Sequence, residues 1–153
     1  MARRTYEKRS LGDALQTYLT SKGWTTITYA DGYKSQATVK NPQVTITMPP
    51  STIKELQLGR IEGGARMFSR RIQVDAYMES EPRADAIIDD IMDFIDLVPV
   101  SIVDPTATVL GTLICYNTES IYGETLPPAT SLPTVLKWRG VVRAEMEALY
   151  PAG

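Results

Sequence analysis

No histidine occurs among the 153 residues, and there is a single cysteine. Imidazole is the usual proton carrier near neutral pH and the commonest metal ligand. Its absence excludes Ser-His-Asp and Cys-His catalytic arrangements and every histidine-ligated metal. Cys115 alone can neither close an intramolecular disulfide nor build a cysteine zinc site, so stability rests on packing and a reducing compartment such as a cytoplasm fits. Set in the apolar run Leu113-Ile114-Cys115-Tyr116, its thiol reads as buried and inert, because reactive thiols need exposure and electropositive neighbours.

Other signals are missing too. No apolar stretch approaches the ~18 residues that span a bilayer, and the basic N-terminus has no hydrophobic segment behind it, so neither anchor nor export signal is expected. There is no Walker loop, GxGxxG or GxSxG. Gly59, Gly63 and Gly64 are followed by no Lys-Ser or Lys-Thr pair and no helix start, and read as strand and turn glycines instead. A net charge of −2 and a pI near 5.2 exclude a strong overall nucleic-acid field.

What is present is an ordinary globular mixture, 43% hydrophobic and 22% charged, in a length that suits one domain. The expected organisation is a basic N-terminal arm over 1–9, with Arg3, Arg4, Lys8 and Arg9 against Glu7 and no apolar periodicity, followed by one α+β domain over 10–150. Leu11, Ala14, Leu15, Tyr18 and Leu19 share one face of a first helix, capped by Ser10 with Asp13 in the first turn and closed by Gly23, which returns Trp24 against Leu19.

Short strands are expected over Thr25 to Ala30 and Pro42 to Met48, the second alternating Val44, Ile46 and Met48 with Gln43, Thr45 and Thr47 and ended by Pro49-Pro50. A polar loop, Asp31 to Asn41, joins them. A third strand, about Thr52 to Ile61, leads to a hairpin tip at Glu62 to Ala65, where Gly63 and Gly64 supply positive φ. The clearest strand follows, with Ile72, Val74, Ala76 and Met78 on a dry face and Arg71, Gln73, Asp75 and Tyr77 on a wet one. Glu81-Pro82 opens a second helix whose stripe is Ala84, Ile87, Ile88, Ile91, Phe94 and Ile95.

Strands over Val98 to Asp104 and Thr108 to Thr118 come next, the latter apolar on both parities and so central, then a long loop over 119–133 and a last strand from about Thr134 to Leu149. These elements predict a mostly antiparallel β-sheet with two α-helices packed on one face, plus a long β-hairpin.

Two charged constellations stand out. Asp85, Asp89, Asp93 and Asp96 line a narrow arc opposite the apolar stripe of the second helix. A solvated helix face accounts for them, except that Asp93 and Asp96 lie toward the C-terminus, where the macrodipole disfavours negative charge. Arg60, Arg66, Arg70 and Arg71 flank Gly63 and Gly64. They serve edge protection or a docking hairpin whose guanidinium forks pair with carboxylates, in which case reversing Arg66 and Arg70 weakens assembly without lowering the melting temperature. The surviving catalytic option is magnesium bound by Asp75, Asp89, Asp90 or Asp104, but adjacent helix residues such as Asp89 and Asp90 diverge by ~100° and do not converge on one ion.

The order of elements resembles the tail terminator (tail completion) proteins of long-tailed bacteriophages. It runs helix, short strands, a hairpin leading into Ser69-Arg70-Arg71-Ile72-Gln73-Val74, a helix after Pro82, then strands ending at Trp138-Arg139-Gly140-Val141. The resemblance covers about Leu11 to Glu147. It implies a structural virion protein, not an enzyme, that needs no cofactor or metal and is made in the host cytoplasm. Six copies would form a ring at the head-proximal end of the tail tube. The implied partners are further copies of the chain, the tail tube protein and a head-completion or neck protein, with DNA only in transit through the lumen. Asp85, Asp89 and Asp93 facing that lumen would repel the phosphates. The alternatives are another head-tail joining protein and a metal-dependent nucleic-acid enzyme.

Overall fold

The computed structural model describes residues 3–31, 42–48, 55–58, 65–97, 99–125 and 138–151. Its first helix, α1, runs Arg3–Ser21 and so begins inside the segment expected to be a loose arm. The buried stripe of Leu19, Leu15 and Leu11 continues toward the N-terminus through Ser10 and Glu7, polar side chains that an apolar pattern does not detect. Ser10 is not the cap. Its Oγ accepts the Val103 N–H at 3.0 Å, inside the helix and under the sheet. The other end closes as expected: Gly23 has φ 95°, the Trp24 N–H reaches the Leu19 carbonyl at 3.0 Å and the Gly23 N–H reaches Thr20 at 3.1 Å.

The strands are β1 (Thr28–Asp31), β2 (Gln43–Thr47), β3 (Glu55–Leu58), β4 (Ala65–Met78), β5 (Val100–Val103), β6 (Val109–Thr125) and β7 (Trp138–Tyr150), with α2 (Glu81–Leu97) between β4 and β5. They form one sheet in the order β1-β2-β4-β7-β6-β5, with β3 beside β2 on the same edge of β4. All pairs are antiparallel except β1 with β2. The fold is therefore α+β, as the alternation of patterns predicts. The β3–β4 pairing starts at Leu58 opposite Ala65. Its connecting residues, with Arg60, Gly63 and Gly64, lie outside the described residues, as do residues 32–41 of the loop expected over Asp31 to Asn41; Asp31 itself ends β1.

Three strand expectations need correction. β6 continues to Thr125, where a loop from 119 was expected. It stays paired with β7 across two register shifts, so that Glu119 faces Arg143 and Ile121 faces Val141. The bulges absorb the mismatch that its polar, glycine-containing sequence suggests. Residues 126–133 of that expected loop are outside the described residues. β6 lies between β7 and β5, interior to the sheet as expected, but its faces are not both dry, since Ile114 is half-exposed. Conversely, Gln43 and Thr45 of β2 and Asp75 and Tyr77 of β4 are all buried, although alternation assigns them to a wet face.

One core unites the layers. The even-numbered side chains Ile72, Val74, Ala76 and Met78 of β4, and Val142, Ala144, Met146 and Ala148 of β7, meet Leu11, Leu15 and Leu19 of α1 and the full stripe of α2. Each large aliphatic side chain so buried contributes about 1.5–3 kcal/mol before conformational costs. Both helices lie on this one face. At Gly140 of β7 the helix comes so close that an added Cβ would sit 2.3 Å from Ile88 Cγ1, which explains a glycine in the middle of a long strand.

Candidate interaction surfaces

Alternation along β4 decides the fate of the arginines. Arg70 shares parity with Phe68 and Ile72 and points toward the helices. Its Nε donates to Glu7 Oε1 at 2.9 Å, and Tyr150 Oη–H donates to Glu7 Oε2. Arg3 and Arg70 stack on Phe68, with guanidinium carbons 5.1 and 4.9 Å from the ring centre. Burial, then the hydrogen bond to Glu7, raises the Tyr150 phenol above its ordinary value. Arg70 is thus a partly buried residue that faces inward, and because it is the counter-charge of the wholly buried Glu7, its reversal is now expected to cost stability.

Arg71 has the opposite parity and is exposed on the far face of the sheet, in register with Glu145. Arg66 is half-buried near the start of β4. On that far face Arg139 Nη2 and Nε donate to Asp75 Oδ1 at 2.9 and 3.2 Å, Gln73 Nε2 donates to the same carboxylate at 3.1 Å, and Arg143 Nε donates to Gln73 Oε1 at 3.0 Å. Arg143 also approaches Glu119 at 3.7 Å. Paired charges therefore run across three strands, and the buried Asp75 is explained by its arginine.

The four carboxylates considered for magnesium are dispersed. Asp75 is held by Arg139, Asp89 accepts Tyr122 Oη–H at 2.7 Å and Asp90 accepts Trp24 Nε1–H at 2.7 Å. Asp104 accepts the Thr106 hydroxyl and the Thr106 and Thr108 N–H groups, which hold its carboxyl below the ordinary range. Among the described residues no group of three or more acidic or cysteine side chains converges as a cation site.

The acidic arc of α2 does form a surface. Asp89, Asp93 and Asp96 are exposed and Asp85 half-buried, on the flank nearest β6, where Asp89 meets Tyr122 and Asp96 accepts Thr118 Oγ1–H at 2.8 Å.

A second surface was not expected. Once residues 3–9 are helical, Arg4 and Lys8 stand one turn apart with Arg9 beside them. They rim an open groove of about 600 Å3 whose floor is Val44, Ile46, Met48 and Tyr29. Arg4 also donates to the Met48 carbonyl. The signal was legible as basic residues at i, i+4 and i+5, but without an apolar stripe the segment read as an arm.

No helix among the described residues is long and apolar enough to cross a membrane. Comparison with protein-family models finds no match, and a search of curated proteins finds no relative.

Proposed function

We propose that this chain is a structural virion protein of the tail-terminator kind. In this reading, copies assemble into a ring, which would be a hexamer, at the head-proximal end of a phage tail tube. The ring ends tube growth and meets the neck on its other side. The observation that carries it is the segregation of charge on a nearly neutral chain. Arg4, Lys8 and Arg9 gather on one flank of α1, Asp85, Asp89, Asp93 and Asp96 on one flank of α2, and paired charges link β4, β7 and β6 on the far face of the sheet. Charge sorted this way favours directed docking over catalysis at a cleft. The order of elements and the α+β architecture support the same reading.

In the proposed docking set, Arg66 and Arg71 remain as contact residues, together with Arg60, Gly63 and Gly64. Arg70 is withdrawn from that set. The acidic arc of α2 has two assignments in a ring, the lumen or the next subunit. The magnesium reading draws no support from the dispersed carboxylates.

Negative-stain imaging of the purified protein with and without tail tubes tests the proposal. Annular particles seated at tube ends are expected. Tubes that keep growing, with the protein never at their ends, would sink it. Co-purification with a portal-side protein in place of tube protein would favour the other head-tail joining role.

A further inference from the structure

Each helix carries charge of the wrong sign at one end. α1 opens with Arg3 and Arg4 and has no acidic residue in its first turn, although a helix N-terminus is already electropositive. α2 closes with Asp93 and Asp96 and no basic residue in its last turn, although a C-terminus is already electronegative. Neither end is corrected from within its own helix. The positive end of α1 and the negative end of α2 would each be relieved by the other.

They do not meet within one chain. The basic flank of α1 lies against β1 and β2, whereas the acidic flank of α2 lies against β6, and β4 and β7 separate β2 from β6 in the sheet. The helices touch each other elsewhere, through Tyr18 and Phe94, whose ring centres are 5.4 Å apart. Such an arrangement matches a second copy.

We infer that the acidic flank of α2 from one copy seats against the basic groove of α1 in the next, head to tail. This rests on the self-assembling reading above and names the surfaces that join. Arg4 and Lys8 are four residues apart, as are Asp85, Asp89 and Asp93, so both rows repeat every ~6 Å along their helices. The rows register whether the helices run parallel or antiparallel. Among the described residues that line the groove, Asp13 is the one acidic side chain, beside Arg4, Lys8 and Arg9. A contact between two different patches of the same chain is heterologous, and it closes into a ring or continues as a filament according to the rotation between copies. In this arrangement the acidic arc is covered by the neighbour and does not line the lumen.

The test is a charge exchange. The Lys8→Glu/Arg9→Glu variant and the Asp89→Lys/Asp93→Lys variant are each examined by analytical ultracentrifugation from micromolar to millimolar concentration at low and high salt, beside the unchanged chain. Circular dichroism melts verify folding, and Asp93→Lys alone replaces the second variant if that one fails to fold. The unchanged chain is expected to associate at low salt, and each variant to associate at least tenfold more weakly. An equimolar mixture of the two variants should recover association, because reversed groove meets reversed flank.

Association unaffected by either exchange, no recovery on mixing, or an unchanged chain that stays monomeric throughout would each overturn the inference. Rings that still cap tail tubes after both exchanges would discard the inference and leave the proposed function standing. Recovered association with no affinity for tubes would do the reverse.

Discussion

Arg70 of β4 and Glu7 of α1, 63 positions apart in the chain, are joined by a 2.9 Å ion pair in which the carboxylate is fully buried and the arginine side chain partly exposed. The pair fastens the first two turns of α1 to the middle of the sheet. It also turns a stretch of polar sequence into a packed helix.

Removing the cation alone strands a buried charge, which costs about 3–5 kcal/mol. Arg70→Ala should therefore lower the melting temperature by roughly 10 °C for a chain of this size. The double variant Glu7→Gln/Arg70→Met, which takes away both charges, should be clearly more stable than Arg70→Ala in urea unfolding. Equal stability of the two would show that the buried charge is not what Arg70 compensates.

Gly140 and Ile88 form a second long-range dependency. A Cβ at Gly140 would stand 2.3 Å from Ile88 Cγ1 and 2.7 Å from its Cδ1. Gly140→Ala should cost about 1–3 kcal/mol through overpacking. Because Ile88→Ala vacates the same space, the double variant should lose less than the sum of the single losses. Strict additivity in chemical denaturation would refute the contact.

Gly23 tests conformation without packing. At φ 95° an added Cβ meets no atom within 4 Å, so only the left-handed backbone is penalised. Gly23→Ala should cost about 1 kcal/mol, and Gly23→Asn less. A thermal melt of Gly23→Ala that matches the unchanged chain would contradict this.

Burial, with a smaller contribution from Asp96, pushes the Cys115 thiol from 9.0 up to about 11. At pH 8 it should hold about a hundredfold less thiolate than an ordinary cysteine, and iodoacetamide should label it correspondingly slowly in the folded protein. The linkage follows in sign. Below pH 9.0 folded and unfolded chains both keep the proton, and the contribution is fully present. As pH rises from there through about 11 the unfolded chain deprotonates first, so stability falls. Tyr150, raised by burial and Glu7, adds to the loss above pH 10.0. Stability that is flat across pH 9–11 would be inconsistent with both.

Much of this was legible in the sequence. The alternation in β4, the stripe of α2 and the glycine closing α1 each express a local period or a backbone preference, which neighbouring residues reveal without knowledge of the fold. The acidic arc of α2 was legible for the same reason. The basic groove was not, because its floor comes from β1 and β2 and its rim from a helical turn whose buried positions are polar.

The sequence by itself determined the absence of imidazole chemistry, the inventory of helices and strands and the parity of each side chain along β4 and β7. Only the tertiary structure decided that the inward Arg70 meets Glu7, that Asp75 is buried beneath Arg139, and that residues 3–9 are helix. The physical reason is common to all three. A polar side chain is stable inside only if a partner waits there, and these partners are supplied by strands and helices far away in the chain.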